Sequence, residues 1–124
     1  MKRVAVTGLG VISPVGNDVP TFWNALCSGT CGIGPITKFD ATDYPVKLAA
    51  EVRDFDPKQY MEKLDILHSD VYTHFAMAAA CQAVADSGIA GTLDAERVGV
   101  YIGSGIGGIA TFMTEHSKLL NRGP

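Results

Sequence analysis

The chain has 124 residues, 47% of them hydrophobic and 19% charged, with 14 glycines, which is the length and balance of one globular domain and excludes a disordered, collagen-like or fibrous polypeptide. Ten Lys+Arg against thirteen Asp+Glu give a net charge of -3, and with no basic run and no aromatic-plus-arginine stripe there is no nucleic-acid footprint. A mean hydropathy of +0.17 points to more apolar surface than a domain of this size can readily hide.

Lys2-Arg3 followed by Val4-Ala5-Val6 imitates the start of a secretory leader. Gly8, Gly10, Pro14 and Asn17-Asp18 then interrupt the apolar region, and no small-x-small cleavage site follows. The charge-free apolar stretches fall far short of the ~18 residues that a membrane-spanning helix needs. Three irregularly spaced cysteines are too few for a disulfide framework, so reduced thiols and a cytoplasmic location are expected.

Residues 3–9 (RVAVTGL) are rich in β-branched side chains and predict a strand buried on both faces. Residues 13–17 carry dense turn chemistry. Asp18 then stands as N-cap of a helix over 19–28, with Pro20 in its first turn and Gly29 as C-cap. Phe22, Trp23, Leu26 and Cys27 fall on that helix at helical spacing and read as core rather than ligand contacts. Residues 29–35 form a glycine-rich loop, 36–45 are irregular, and 46–52 (VKLAAEV) predict a second, shorter strand. Asp56-Pro57 marks a turn into a short helix over 58–63.

Residues 75–85 read FAMAAACQAVA, a run whose one polar member is Gln82. A helix apolar around its circumference must be covered on all sides, and alanines imply close approach by its neighbours, so 69–86 predict an interior helix between layers. Asp86-Ser87-Gly88 ends it. Residues 98–102 (VGVYI) predict another continuous apolar strand, and Gly103 to Gly108 (GSGIGG) turn from it into a helix over 109–120. The fold class is therefore α/β, with a mostly parallel sheet and right-handed crossovers. Two doubly buried strands and an all-apolar helix call for more protein than these residues supply. A fragment is expected, one that exposes unusual apolar area and self-associates.

Gly103-Ser104-Gly105-Ile106-Gly107-Gly108 satisfies G-x-G-x-x-G between a strand and a helix, so one functional alternative is a dinucleotide-binding unit whose backbone amides cradle a pyrophosphate. The acidic residue expected about twenty positions further on falls beyond Pro124. Metal binding finds no ligand cluster: Cys27 and Cys31 flank the helix-breaking Gly29, and His68, His74 and His116 are scattered. His68 reads as a boundary residue, His74 as a polar partner and Cys81 as a small buried apolar side chain. Ser104 has glycines at the wrong offsets for a nucleophile elbow. Composition and spacing yield no reaction.

Taken together, residues 3–17 (RVAVTGLGVISPVGN), then Trp23, Leu26 and Gly29, Gly32-Ile33, Phe39-Asp40, Asp86-Ser87-Gly88 and finally GSGIGG at 103–108, resemble the amino-terminal part of β-ketoacyl-acyl carrier protein synthases, in their elongating synthase II form. The resemblance covers essentially the whole chain. It implies a partial thiolase-type fold of αβαβα layers with the alanine-rich helix in the middle, residues 1–124 forming the amino-terminal part of the first half. It implies a homodimeric acyltransferase that extends acyl chains on acyl carrier protein by decarboxylative Claisen condensation, with a cysteine nucleophile and two histidines.

None of that catalytic set maps onto this chain. Neither its cysteines nor its histidines match the motifs, no cofactor is implied, and the chain alone is expected to be inert. Ile106 does match the family's acyl-pocket isoleucine, flanked by Gly105 and Gly107. The basic residues that such enzymes often use to dock the carrier are sparse here, with Lys58, Lys63 and Arg122 as candidates. A non-catalytic scaffold or interaction module of the same fold is the other alternative.

Overall fold

A computed structural model describes residues 3–123. Helix α1 spans Val19–Cys27. Asp18 starts it as anticipated, one carboxylate oxygen accepting from the Thr21 N–H and the other from the Thr21 hydroxyl, both at 2.8 Å. Strands β1 (Ile33–Pro35) and β2 (Leu48–Ala50) pair antiparallel, Ile33 opposite Ala50 and Pro35 opposite Leu48. A single 3₁₀ turn over Pro57–Gln59 precedes helices α2 (Lys63–Leu67) and α3 (Val71–Ser87). A second 3₁₀ turn, Ala95–Arg97, and helix α4 (Ile109–Arg122) complete the described chain.

Helix α3 is the spine. Residues 8–11 run along it, and two of their backbone donors are taken by its side chains: the Leu9 N–H donates to Asp86 Oδ2 at 2.9 Å and the Val11 N–H to Gln82 Oε1 at 3.0 Å. Glycine permits this proximity, because a Cβ on Gly8 or Gly10 would overlap the carbonyl oxygens of Ala83 and Ala79. Phe55 packs edge-on against Phe75 with ring centroids 5.0 Å apart and stacks on Tyr60 at 6.3 Å. Between these flanks Ala78 is wholly buried and His74 is 8% exposed.

Several expectations need correction. The ladder among the described residues is the antiparallel β1–β2 pair; residues 3–9 and 98–102, expected as parallel strands, join no ladder. A parallel strand exists only beside a neighbour, and none lies alongside these segments here. The helix expected over 58–63 is instead the Pro57–Gln59 turn and the later α2. Trp23, Leu26 and Cys27 on α1 are exposed rather than core. On α3, Met77, Cys81 and Val84 are likewise exposed, since nothing in these residues covers that side of the helix, and Tyr72 is exposed near its start.

The magnitude is large. The accessible surface is 10104 Å², whereas a compact monomer of 13.1 kDa exposes about 6400 Å². These residues do not close a core on themselves.

Candidate functional site

The glycine turn at 103–108 stands between the open segment 98–102, where Tyr101 is 96% exposed, and the start of α4. Its shape is local: the Ser104 hydroxyl oxygen accepts from the Gly107 N–H at 3.1 Å, and the Ile109 N–H closes on the Gly107 carbonyl at 3.0 Å. Gly107 has φ +75, a left-handed conformation that disfavours any side chain. Gly103 and Gly105 face open space. Between them and α4, Ile106 projects 79% exposed, the one bulky group on the turn.

The far end of the turn is anchored. A Cβ on Gly107 would lie 3.8 Å from the Tyr72 ring, and one on Gly108 would overlap the Asp70 carboxylate. The other oxygen of that carboxylate accepts from the Thr111 hydroxyl at 2.6 Å, tying the first turn of α4 to the start of α3. Asp70 therefore places negative charge at the α4 N-terminus, where it complements the helix dipole. A pyrophosphate on the same turn would meet that charge, which counts against the dinucleotide alternative.

The other titratable groups serve local structure. His68 follows α2 and donates its backbone N–H to Leu64 at 3.1 Å. The His74 Nε2 is 3.1 Å from the Ser69 hydroxyl, which itself donates to the Asp65 carbonyl, so His74 is the polar partner the sequence suggested. His116 stacks on Phe112 with centroids 6.1 Å apart. No hydrogen bond among the described residues links a cysteine to a histidine, and no three of His, Cys, Asp and Glu converge there as a metal site.

Three carboxylates are held below their ordinary pKa by hydrogen bonds to the charged form: Glu51 by the Thr37 hydroxyl first, Asp18 by the Thr21 amide, Asp40 by the Thr42 hydroxyl. None of the three belongs to the glycine turn. An open groove of about 670 Å³ runs along α2 and the start of α3, lined by Lys58, Glu62, Asp65, His68, Ser69 and Met77 among others. Of the candidate docking residues, Lys58 lines that groove, Lys63 opens α2 and Arg122 ends α4, so they sit on three different elements.

Sequence reasoning identified the turn but missed its anchor. Asp70 precedes α3 and has the residue type of an N-cap, yet its side chain makes no cap bond there and reaches instead to a residue 41 positions later. Gln82 did carry a signal, as the one polar residue in an apolar run, although its partners could not be read from it.

An α/β unit built on an alanine-rich helix, with a glycine turn carrying one exposed isoleucine into a further helix, has close counterparts among condensing enzymes. The chain belongs to the β-ketoacyl synthase family: the family profile described as "Beta-ketoacyl synthase, N-terminal domain" matches residues 1–123. Among curated relatives it is 49% identical over 124 residues to the 3-oxoacyl-[acyl-carrier-protein] synthase 2 of Coxiella burnetii, 47% to that of Vibrio harveyi and 43% to that of Synechocystis sp.. Each alignment covers 99% of this chain, and the chain spans 30% of the length of each of these relatives. Among solved structures, the ishigamide ketosynthase/chain length factor superposes with a TM-score of 0.75 at 29% identity, over 95% of this chain and 30% of that one. That superposition places the α/β elements in a thiolase-type fold. No described helix is long and apolar enough to cross a membrane.

Proposed function

We propose that residues 1–124 are the amino-terminal part of the first thiolase half of a 3-oxoacyl-acyl carrier protein synthase, an acyltransferase that extends acyl chains in fatty acid biosynthesis. The observation that carries this is the match across residues 1–123, together with 42–49% identity to relatives that share one name. The reaction is a decarboxylative Claisen condensation: a cysteine takes the acyl group as a thioester, which divides one hard step into two, and malonyl decarboxylation supplies the attacking carbanion. The developing enolate oxygen needs preorganised donors.

This chain's contribution is scaffold and pocket rather than chemistry. Ile106, with Gly105 and Gly107, lines the acyl pocket: a branched apolar side chain fills an otherwise empty turn, and glycine neighbours let the backbone shift. The enzyme works as a cytoplasmic homodimer and receives its acyl and malonyl groups on acyl carrier protein, with Lys58, Lys63 and Arg122 available for an acidic carrier. The open apolar faces of α3 and of residues 98–102 pack against the rest of the enzyme.

The test is a chimaera in which residues 1–123 replace the matching segment of the intact Coxiella burnetii synthase. Condensation of acyl and malonyl groups on carrier protein is expected. A folded, dimeric chimaera without that activity would overturn the reading in favour of a non-catalytic scaffold. The isolated chain should accept no acyl group; thioester transfer onto Cys27, Cys31 or Cys81 would refute the assignment of its role.

A further inference from the structure

The exit end of the glycine turn is held by residues of this chain. On the entry side a Cβ added at Gly103 or Gly105 would meet no atom of the described residues. On the exit side a Cβ on Gly107 would lie 3.8 Å from the Tyr72 ring and one on Gly108 would overlap the Asp70 carboxylate, which accepts from the Thr111 hydroxyl at 2.6 Å. Ile106 thus sits two residues before an end of the turn that α3 and α4 hold, and the bond between Ser104 and the Gly107 N–H makes the intervening loop one small unit. The stiffness of that held end bears on how far Ile106 can travel under load.

We propose that Asp70 is a positioning residue for acyl-chain selection: by holding Thr111 and the Gly108 end of the turn to the start of α3, it sets how readily Ile106 yields to a long acyl chain. This rests on Ile106 lining the acyl pocket. Two observations mark out Asp70. It occupies the N-cap position of α3 without capping that helix, so its side chain is committed to the turn. Its partner is a hydroxyl donating to a carboxylate at a helix N-terminus, a charge-assisted bond aided by the helix dipole. Tyr72, two residues after Asp70, flanks the same end of the loop, its ring 3.8 Å from where a Cβ on Gly107 would stand.

The test uses the same intact chimaera bearing Asp70→Ala, Asp70→Asn or Thr111→Val. Asp70→Ala is expected to raise the ratio of kcat/KM for long over short acyl chains about tenfold, the loss expected of one hydrogen bond to a charged group. Thr111→Val, at an exposed position, should reproduce the effect, while Asp70→Asn keeps an acceptor but loses the charge and should raise the ratio by a smaller factor, about threefold. Hydrogen exchange of the peptide spanning 103–112 should quicken about tenfold in Asp70→Ala and Thr111→Val while that of 75–85 stays unchanged.

An unaltered chain-length ratio with unaltered exchange would overturn the proposal. So would equal losses for long and short chains, or exchange that quickens throughout α3, both of which mark a merely structural role. If the unsubstituted chimaera folds without condensing activity, the proposed function fails by itself, and the exchange measurements still decide whether Asp70 holds the turn.

Discussion

Gln82 on α3 holds the backbone of Val11: its Oε1 accepts the Val11 N–H at 3.0 Å while its Nε2 donates to the Asn17 carbonyl at 2.7 Å and lies 3.3 Å from the Tyr60 hydroxyl. One amide thereby joins the amino-terminal segment, the turn before α1 and the aromatic flank. Gln82→Leu keeps the volume and leaves partly buried backbone groups unpaired, so the substitution should cost about 2 kcal/mol. Urea unfolding of the chimaera and its variant measures this, and a change within about 0.5 kcal/mol, the level of an ordinary surface substitution, would contradict the clamp.

Gly10→Ala pushes a methyl group into the Ala79 carbonyl of α3. Overpacking of this kind costs about 1–3 kcal/mol, because either the segment or the helix must move. Gly103→Ala meets open space without a positive φ and should change stability by no more than about 0.5 kcal/mol. Thermal melting of the two variants side by side distinguishes close approach from a general intolerance of glycine replacement.

Acid should loosen the β1–β2 hairpin. Glu51 is 8% exposed and accepts from the Thr37 hydroxyl at 2.7 Å and from the Thr37 and Lys38 amides. Its pKa in the fold lies below the ordinary 4.5, so the ionised form is the one the fold favours. The stabilisation is fully present above 4.5 and disappears as pH falls through the lower folded value. Asp18 and Asp40 act with the same sign. Glu51→Gln should flatten the dependence of stability on acidic pH; an unchanged slope would show that the hydrogen bonds to Thr37 carry no such linkage.

Ile106→Phe adds bulk to a side chain already 79% exposed on its turn. In the chimaera it should depress kcat/KM for long acyl chains selectively, as a filled pocket excludes the longer ligand first. Parallel losses for short and long substrates would remove Ile106 from the pocket.

The 124-residue polypeptide by itself should bind a hydrophobic dye and associate with rising concentration. Its 10104 Å² of accessible surface exceeds the compact-monomer value by roughly 3700 Å², and Val100, Tyr101 and Ile106 stand among the exposed apolar groups. A monodisperse, dye-negative monomer at high concentration, measured by light scattering, would contradict that exposure.

What the residues settled on their own is local. Asp18 with Pro20 specified the start of α1, and Gly88 specified the end of α3, because caps act within one turn of chain. The alanine-rich run foretold a close approach by its neighbours, and the family was legible in the joint order of its motifs. Tertiary structure decided whatever depends on a neighbour distant in sequence. Residues 3–9 and 98–102 have strand composition yet form no ladder, since a strand is completed by hydrogen bonds that another segment must offer. Trp23, Leu26 and Cys81 carry the hydrophobicity of core residues and are nonetheless exposed, because burial belongs to the covering layer as much as to the side chain. Asp70 has the residue type of a helix cap and is instead a tie across 41 residues. A carboxylate's choice of donor depends on where the fold brings a hydroxyl, and no periodicity in the chain records that.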